Sequence, residues 1–249
     1  LDQMDTTVDV KPPSSPVPSK KEYFIGKTFV NVPRANTEIV GCMRDCMIED
    51  WDIFEQMVDY CYRHVLFCES QYQPALFSEA PWNTKAKREK LTELMFEKYN
   101  VPAFYVVKNA VLTCYANGRT AGLILDSGAT QTSAVPVFDG YCMTHGYQVR
   151  SPLSKYLYFA VRAMYSGLTV TGGNSLLMGF TERLNHDLAH KCPPTIKLRV
   201  YAAPTPMERR FGAWIGGSIL ASLGAFQQMW ISRAEYDDEG KSIVTKKCA

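Results

Sequence analysis

An α/β fold is what this sequence predicts, on three observations. Short β-branched and apolar runs alternate along the chain with stretches of helical spacing. One stretch, Ala121 to Gly140, reads apolar run, small-residue turn, apolar run, which is the pattern of a hairpin. A composition of 46% hydrophobic and 21% charged residues is that of a globular protein with a buried core. At 249 residues the chain suits one large domain or two small ones. A net charge of +2 gives no strong field toward nucleic acid or a membrane surface. The eight cysteines are scattered, and Cys42-x3-Cys46 has no second close pair to complete a zinc site, so free thiols are expected. No basic segment followed by an apolar core opens the chain, so no secretory leader is expected.

Residues 1 to about 21, rich in Pro, Ser and Thr, read as a flexible tail. Tyr23 to Gly26 and Thr28 to Pro33 read as short strands. Met43 to Trp51 leads into Phe54, Met57, Val58 and Cys61, an amphipathic helical spacing. Pro74 to Glu79 is a strand and Ala80 to Asn83 a turn. Asn83 is the expected N-cap of a helix from Lys85 to Tyr99, with Leu91, Leu94, Met95 and Tyr99 inside and the basic KAKREK run on a solvated face. A strand over Ala103 to Val107 and a helix over Asn109 to Ala116 follow, with Gly118 as the stop. After the central hairpin, Tyr156 to Arg162 has no clear assignment. Leu168 to Thr171 is a strand running into Gly172-Gly173-Asn174, then a helix from Ser175 to His190. Ile196 to Ala202 is a further strand, and Ala203 to Pro206 a loop.

Two motifs point to chemistry that their details exclude. His186-Asp187-Leu188-Ala189-His190 mimics a zinc-protease HExxH helix, but its carboxylate is Asp and a third ligand is lacking. Phe211 to Ser232 carries no charge and is long enough to span a bilayer. Its glutamines, serines and glycines fit a buried pair of short helices better, broken at Gly216-Gly217 and Gly224.

The turn of the central hairpin, Asp126-Ser127-Gly128-Ala129-Thr130, is the candidate site. Successive N–H groups in such a turn can form a concave anion site, and a carboxylate beside it can hold a hydrated metal. Gly128 lets backbone approach a ligand. An ordinary hairpin turn has the same spacing.

The chain resembles the actin family over specific segments. Trp214 to Ser232, WIGGSILASLGAFQQMWIS, is similar to the family's carboxy-terminal run, and Glu235-Tyr236 to Lys247-Cys248 to its ending. Glu79-Ala80-Pro81 with Asn83 to Glu97, Leu125 to Pro136 and Gly172-Gly173-Asn174 match further family segments. The likeness covers Tyr23 to Gln148 and about Gly167 to the end. Trp82, Met47 to Asp52, the DSGAT form of the turn and the Ala202 to Arg210 loop make nuclear actin-like subunits of SWI/SNF-type remodellers the most similar group.

The resemblance implies the actin-like ATPase-domain fold in truncated form. A first phosphate hairpin is missing, and the step from Ser151-Pro152-Leu153 to Ser166-Gly167-Leu168 omits most of the third and fourth subdomains. The implied layout is a tail over 1–21, subdomains 1 and 2 with the phosphate hairpin over 22–153, a junction over 154–166, and the rest of subdomain 3 with the end of subdomain 1 over 167–249. It also implies a nucleotide site: Asp126 for the metal, Ser127, Gly128, Ala129 and Thr130 beside the phosphates, and Gly172, Gly173, Asn174 and Arg210 near the nucleoside. Where actin holds a water-orienting Gln and His, this chain has Asn109 and Ser133. Asn is shorter and Ser is no imidazole, so hydrolysis is not expected. ATP with Mg²⁺ should bind weakly or not at all.

Implied partners are actin, an HSA-type helix of a remodeller ATPase docking near Tyr115, Leu220, Leu223 and Met229, and other subunits of chromatin-remodelling or histone-acetyltransferase assemblies. The implied location is the nucleus, with no sequence-specific nucleic-acid binding and no membrane. The competing reading is a polymerising, cytoskeletal actin-like ATP-binding protein.

Overall fold

The computed structural model describes residues 21–143, 148–149, 167–192 and 198–248. The expected tail, except for Lys21, lies outside the described residues, as does the unassigned stretch 156–162. The described residues fall into two units, divided between Val40 and Gly41.

In the first unit the two expected strands are absent from the described residues, and one helical turn, α1 (Lys27–Val30), stands instead. The N–H groups of Phe29 and Val30 both turn back onto the Gly26 carbonyl at 3.0 Å. Phe29, Val30 and Val32 remain exposed, so no sheet face buries their apolar side chains. Arg34 lies 4.2 Å over the Phe24 ring and donates to the Val32 carbonyl.

The second unit opens with a small antiparallel ladder, β1 (Met43–Arg44) and β2 (Met47–Ile48), turned by Asp45 and Cys46 at φ 51° and 59°. Helix α2 (Trp51–Tyr60) follows, its first turn held by the Asp50 carboxylate, which accepts the Ile53 N–H at 3.0 Å. It runs on as a wider turn over Cys61–Leu66. Strand β3 (Ala75–Glu79) leads to α3 (Lys85–Glu93) and its wider continuation Leu94–Lys98. Thr84, not Asn83, caps α3: its hydroxyl accepts the Lys87 N–H, while the Asn83 amide is drawn away to Glu79 at 2.8 Å. Leu91, Met95 and Tyr99 are buried as expected, while Leu94 is half-buried against the same core. The basic run is no merely solvated face. Lys87 pairs with Glu49 at 2.7 Å and Lys90 sits 4.7 Å over the Trp51 ring; beyond the run, Lys98 pairs with Glu55, so α3 and its continuation are tied to α2 and the residues just before it.

Then come β4 (Ala103–Lys108), α4 (Asn109–Ala116), β5 (Gly122–Ser127), β6 (Thr132–Phe138), β7 (Tyr141–Cys142) and β8 (Gln148–Val149). Helix α4 has the bounds expected of it, and Gly118 follows at φ 66°. β9 (Leu168–Thr171) lies parallel to β5, and β10 (Val200–Ala202) lies parallel to β9. The helix expected from Ser175 starts later, as α5 (Phe180–Ala189), because the chain leaves helical backbone angles at Leu177 (ψ 134°) after a single tight turn. The expected loop is shortened by α6 (Pro206–Ser222): Thr205 and Glu208 form a reciprocal capping box with proline at the first helical position. β11 (Ile231–Ser232), α7 (Arg233–Glu239) and α8 (Ile243–Lys247) complete the order. One sheet runs β11-β4-β3; the other runs β10-β9-β5-β6-β7, with β8 also on β6.

The uncharged stretch does not break at Gly216-Gly217. Helix α6 passes through both glycines, bends at Phe211 (φ −116°, ψ 21°) and ends at Ser222. A Cβ on Gly216 would stand 1.7 Å from the Leu112 carbonyl oxygen, so glycine here serves contact between α6 and α4, not a break. No helix among the described residues is long and apolar enough to cross a membrane.

Strand β5 separates two clusters of buried side chains. Ile124 belongs to the larger, with Phe96, Phe104, Leu112, Val135 and Phe226. Leu123 and Leu125 face the smaller, with Leu168, Val170, Leu184 and Leu188. Alternation along the strand assigns every β5 side chain to one side or the other.

Candidate functional site

That alternation aims Asp126. It follows Ile124 by two, so it lies on the side of the larger cluster, and its ladder partner on β6 is Ser133. Ser133, two before Val135, shares that side and is buried. The carboxylate and the serine thus stand side by side at the end of the sheet. Burial pushes the Asp126 carboxyl above the ordinary value, with no cation among the described residues to offset the cost.

Beyond Asp126 the chain turns. The Gly128 N–H donates to the Gln131 carbonyl at 3.0 Å, so this donor is spent within the turn. Ser127 and Thr132 hydroxyls meet at 2.9 Å, while Ala129 and Thr130 are exposed. Asn174 reaches across from the second turn and donates its amide to the Gly128 carbonyl at 2.7 Å. Gly172 is the glycine that the site requires. At φ 90° a Cβ there would lie 2.3 Å from the Ser127 carbonyl oxygen and 2.5 Å from Asp126 Oδ1. Gly128 carries no such demand, its nearest approach being 3.7 Å. Gly173 is exposed, with nothing within 4 Å of a Cβ. The structure therefore brings together Asp126, Ser127, Gly128, Gly172 and Asn174.

Arg210 is exposed on α6, and among the described residues no hydrogen bond joins it to these turns. Its neighbour Arg209 braces the second turn. Its carbonyl accepts the Gly172 N–H at 2.9 Å and the Thr171 hydroxyl at 2.7 Å, and its guanidinium donates to the Ser175 and Ala203 carbonyls. The signal was legible: Arg209, Gly212 and Gly216 recur at helical spacing from the Thr205 cap. Cys46 is a second residue that sequence reasoning missed. It accepts a hydrogen bond from the Gln131 amide at 2.9 Å, which places the β1–β2 turn against the candidate turn. Burial first, and the Asp126 charge second, raise its thiol pKa.

Among groups that would hold a cation, the site offers one carboxylate. No cluster of three or more metal-ligating residues exists among the described residues. The His186 and His190 rings lie 4.4 Å apart and tilted by 44°, both exposed, at the end of α5. All eight cysteines are free.

The four residues expected to line a partner groove are not alike. Leu220 is buried in the larger core, whereas Leu223 and Met229 are about half exposed, at 46% and 43%. Leu220 and Leu223 do not share a helix face, because Leu223 caps α6 with extended angles (φ −76°, ψ 131°). Tyr115 is partly buried, and a Cβ on Gly140 would meet its hydroxyl at 2.6 Å.

The actin family model matches residues 6–164 and 159–249, two pieces that together take in nearly the whole chain. The chain belongs to the actin family. Its fold is accordingly the actin fold, with the mixed α/β content described above. Among curated relatives, actin-related protein 4 of Arabidopsis thaliana is 25% identical over 368 aligned positions, covering 92% of this chain and 83% of the relative. An alignment longer than the 249-residue chain leaves part of that relative without a counterpart here, in keeping with the omission expected between Leu153 and Ser166.

Proposed function

We propose that this actin-family chain is a non-hydrolysing scaffold subunit of nuclear chromatin-remodelling and histone-acetyltransferase complexes. It would bind actin and an HSA helix of the remodeller ATPase, and so regulate transcription. The observation that carries the non-hydrolysing part is the pair of side chains at the water-positioning places. Ser133 is buried beside Asp126, and Asn109 begins α4 with its carbonyl accepting the Thr113 hydroxyl. A hydroxyl and a short amide there cannot reproduce an imidazole and a longer amide around an attacking water.

The donor set suits nucleotide poorly as well. The Gly128 N–H is engaged within its own turn, and only Asp126 would hold Mg²⁺ through water. If ATP binds, Ser127, Gly128, Ala129 and Thr130 would face its phosphates and Gly172, Gly173, Asn174 and Arg210 its nucleoside, weakly. The similarity to an actin-related protein and the free thiols agree with a nuclear location. The test is phosphate release by the purified chain with Mg²⁺ and ATP: no rate above background is expected. Steady release abolished by Asp126→Ala would overturn the reading.

A further inference from the structure

A second charged cluster lies away from the candidate turns, on β10, which is an edge of its sheet among the described residues. Leu198, Val200 and Ala202 pack on the smaller core, so Arg199 and Tyr201, two residues apart, point to the opposite face. Arg119, from the loop between α4 and β5, comes over the same face, its guanidinium carbon 3.5 Å from the Tyr201 ring centroid. Neither arginine pairs with a carboxylate among the described residues. Two cations thus flank one phenol, and its hydroxyl is at the surface. Arg119 first, and Arg199 second, hold that hydroxyl below its ordinary pKa.

Stacking alone accounts for Arg119, since a cation over a ring is attractive. It does not account for Arg199, nor for two guanidinium groups with no carboxylate beside them among the described residues. We propose that Tyr201 is a phosphorylation site whose phosphate ester is held by Arg119 and Arg199. The phenolic oxygen attacks the γ-phosphorus of a nucleoside triphosphate bound to a tyrosine kinase. The new O–P bond forms as the bond to the β,γ-bridging oxygen breaks, the nucleoside diphosphate leaves, and the phenolic proton passes to the kinase's base. The ester brings close to two negative charges and three acceptor oxygens to a place where two guanidinium forks already meet the phenol with no carboxylate among the described residues to compete. Guanidinium is the group that grips such an anion in two-point fashion. The product state is therefore provided for in the unmodified chain, and the modification would fix the edge of the sheet.

The test has two arms on the full chain. A broad-specificity tyrosine kinase with Mg²⁺ and ATP, followed by mass-spectrometric mapping, should label Tyr201 as well as the exposed Tyr72. Phosphotyrosine installed genetically at 201 should then be titrated by ³¹P NMR. Its second ionisation is expected about one unit below that of a free phosphotyrosine peptide, and Arg199→Gln, at an exposed position, should remove about half of that shift, with Arg119→Lys as the variant that keeps charge but not the fork. An unlabelled Tyr201 in a sample whose Tyr72 is fully labelled would overturn the proposal. So would a titration identical with and without the arginines.

Discussion

Single side chains set both the tightest contacts and the acid response. Glu235 closes a capping box with Ser232 and pairs with Lys247 at 2.6 Å. The Lys247 ammonium first, and the Ser232 N–H second, lower its carboxyl from 4.5 to about 2. A depressed folded value means that this stabilisation is complete above the ordinary carboxylate range. It is lost as pH falls from 4.5 toward 2. Glu235→Gln should therefore lower the urea midpoint at pH 6 slightly and leave a shallower loss below pH 4.5, the exposure of the pair keeping the effect small. Equal acid slopes for the two proteins would remove Glu235 from the account. Gly172 shows what sequence can tell at this scale. The Gly-Gly-Asn spacing marks a close approach, but only the fold reveals that the approach is to Ser127 and Asp126 of another strand.

At the scale of elements, legibility followed local signals. Helix α4 and strands β3, β4 and β9 were readable because periodicity and flanking breakers agree there. The expected strands over 23–33 failed because β-branched composition makes no strand without a partner to share its hydrogen bonds. Arg209 was passed over for Arg210 because one residue of helical phase decides which side chain faces the turn, and phase depends on the Thr205 cap. The end of α6 bears on the proposed partner binding. Leu223 and Met229 are exposed beyond the buried Leu220, and a helix laid in a groove draws on a few such anchors, each worth about 1–3 kcal/mol when truncated. Leu223→Asp with Met229→Asp should abolish pull-down of an ATPase HSA segment and leave the circular-dichroism spectrum unchanged. Undiminished capture by the folded double variant would move the partner site elsewhere.

For the molecule as a whole, the second unit leaves large apolar side chains uncovered on α6 and on the turn beside it. Leu177, Met178, Met207, Phe211 and Trp214 are all exposed, Trp214 at 75%. Apolar surface left open in this way is an aggregation liability. The isolated chain is expected to self-associate in a concentration-dependent manner by light scattering, and Phe211→Ser with Trp214→Ser should reduce it. A monodisperse monomer with a sharp cooperative melt would show that this surface is harmless. The actin fold itself was legible from long runs such as Trp214 to Ser232, whereas the reach of Asn174 to the Gly128 carbonyl was not, because it joins residues far apart in sequence. The parallel pairing of β5 with β9 has a further meaning for how such a chain tolerates rearrangement. The two strands register from Leu123 opposite Leu168 to Asp126 opposite Thr171, whatever polypeptide lies between them. The entropy of closing that excursion grows only with the logarithm of its length, about 0.6 kcal/mol for each doubling. An excursion can therefore shed or gain whole subdomains over evolutionary time while the two strands that bear the paired turns still find each other.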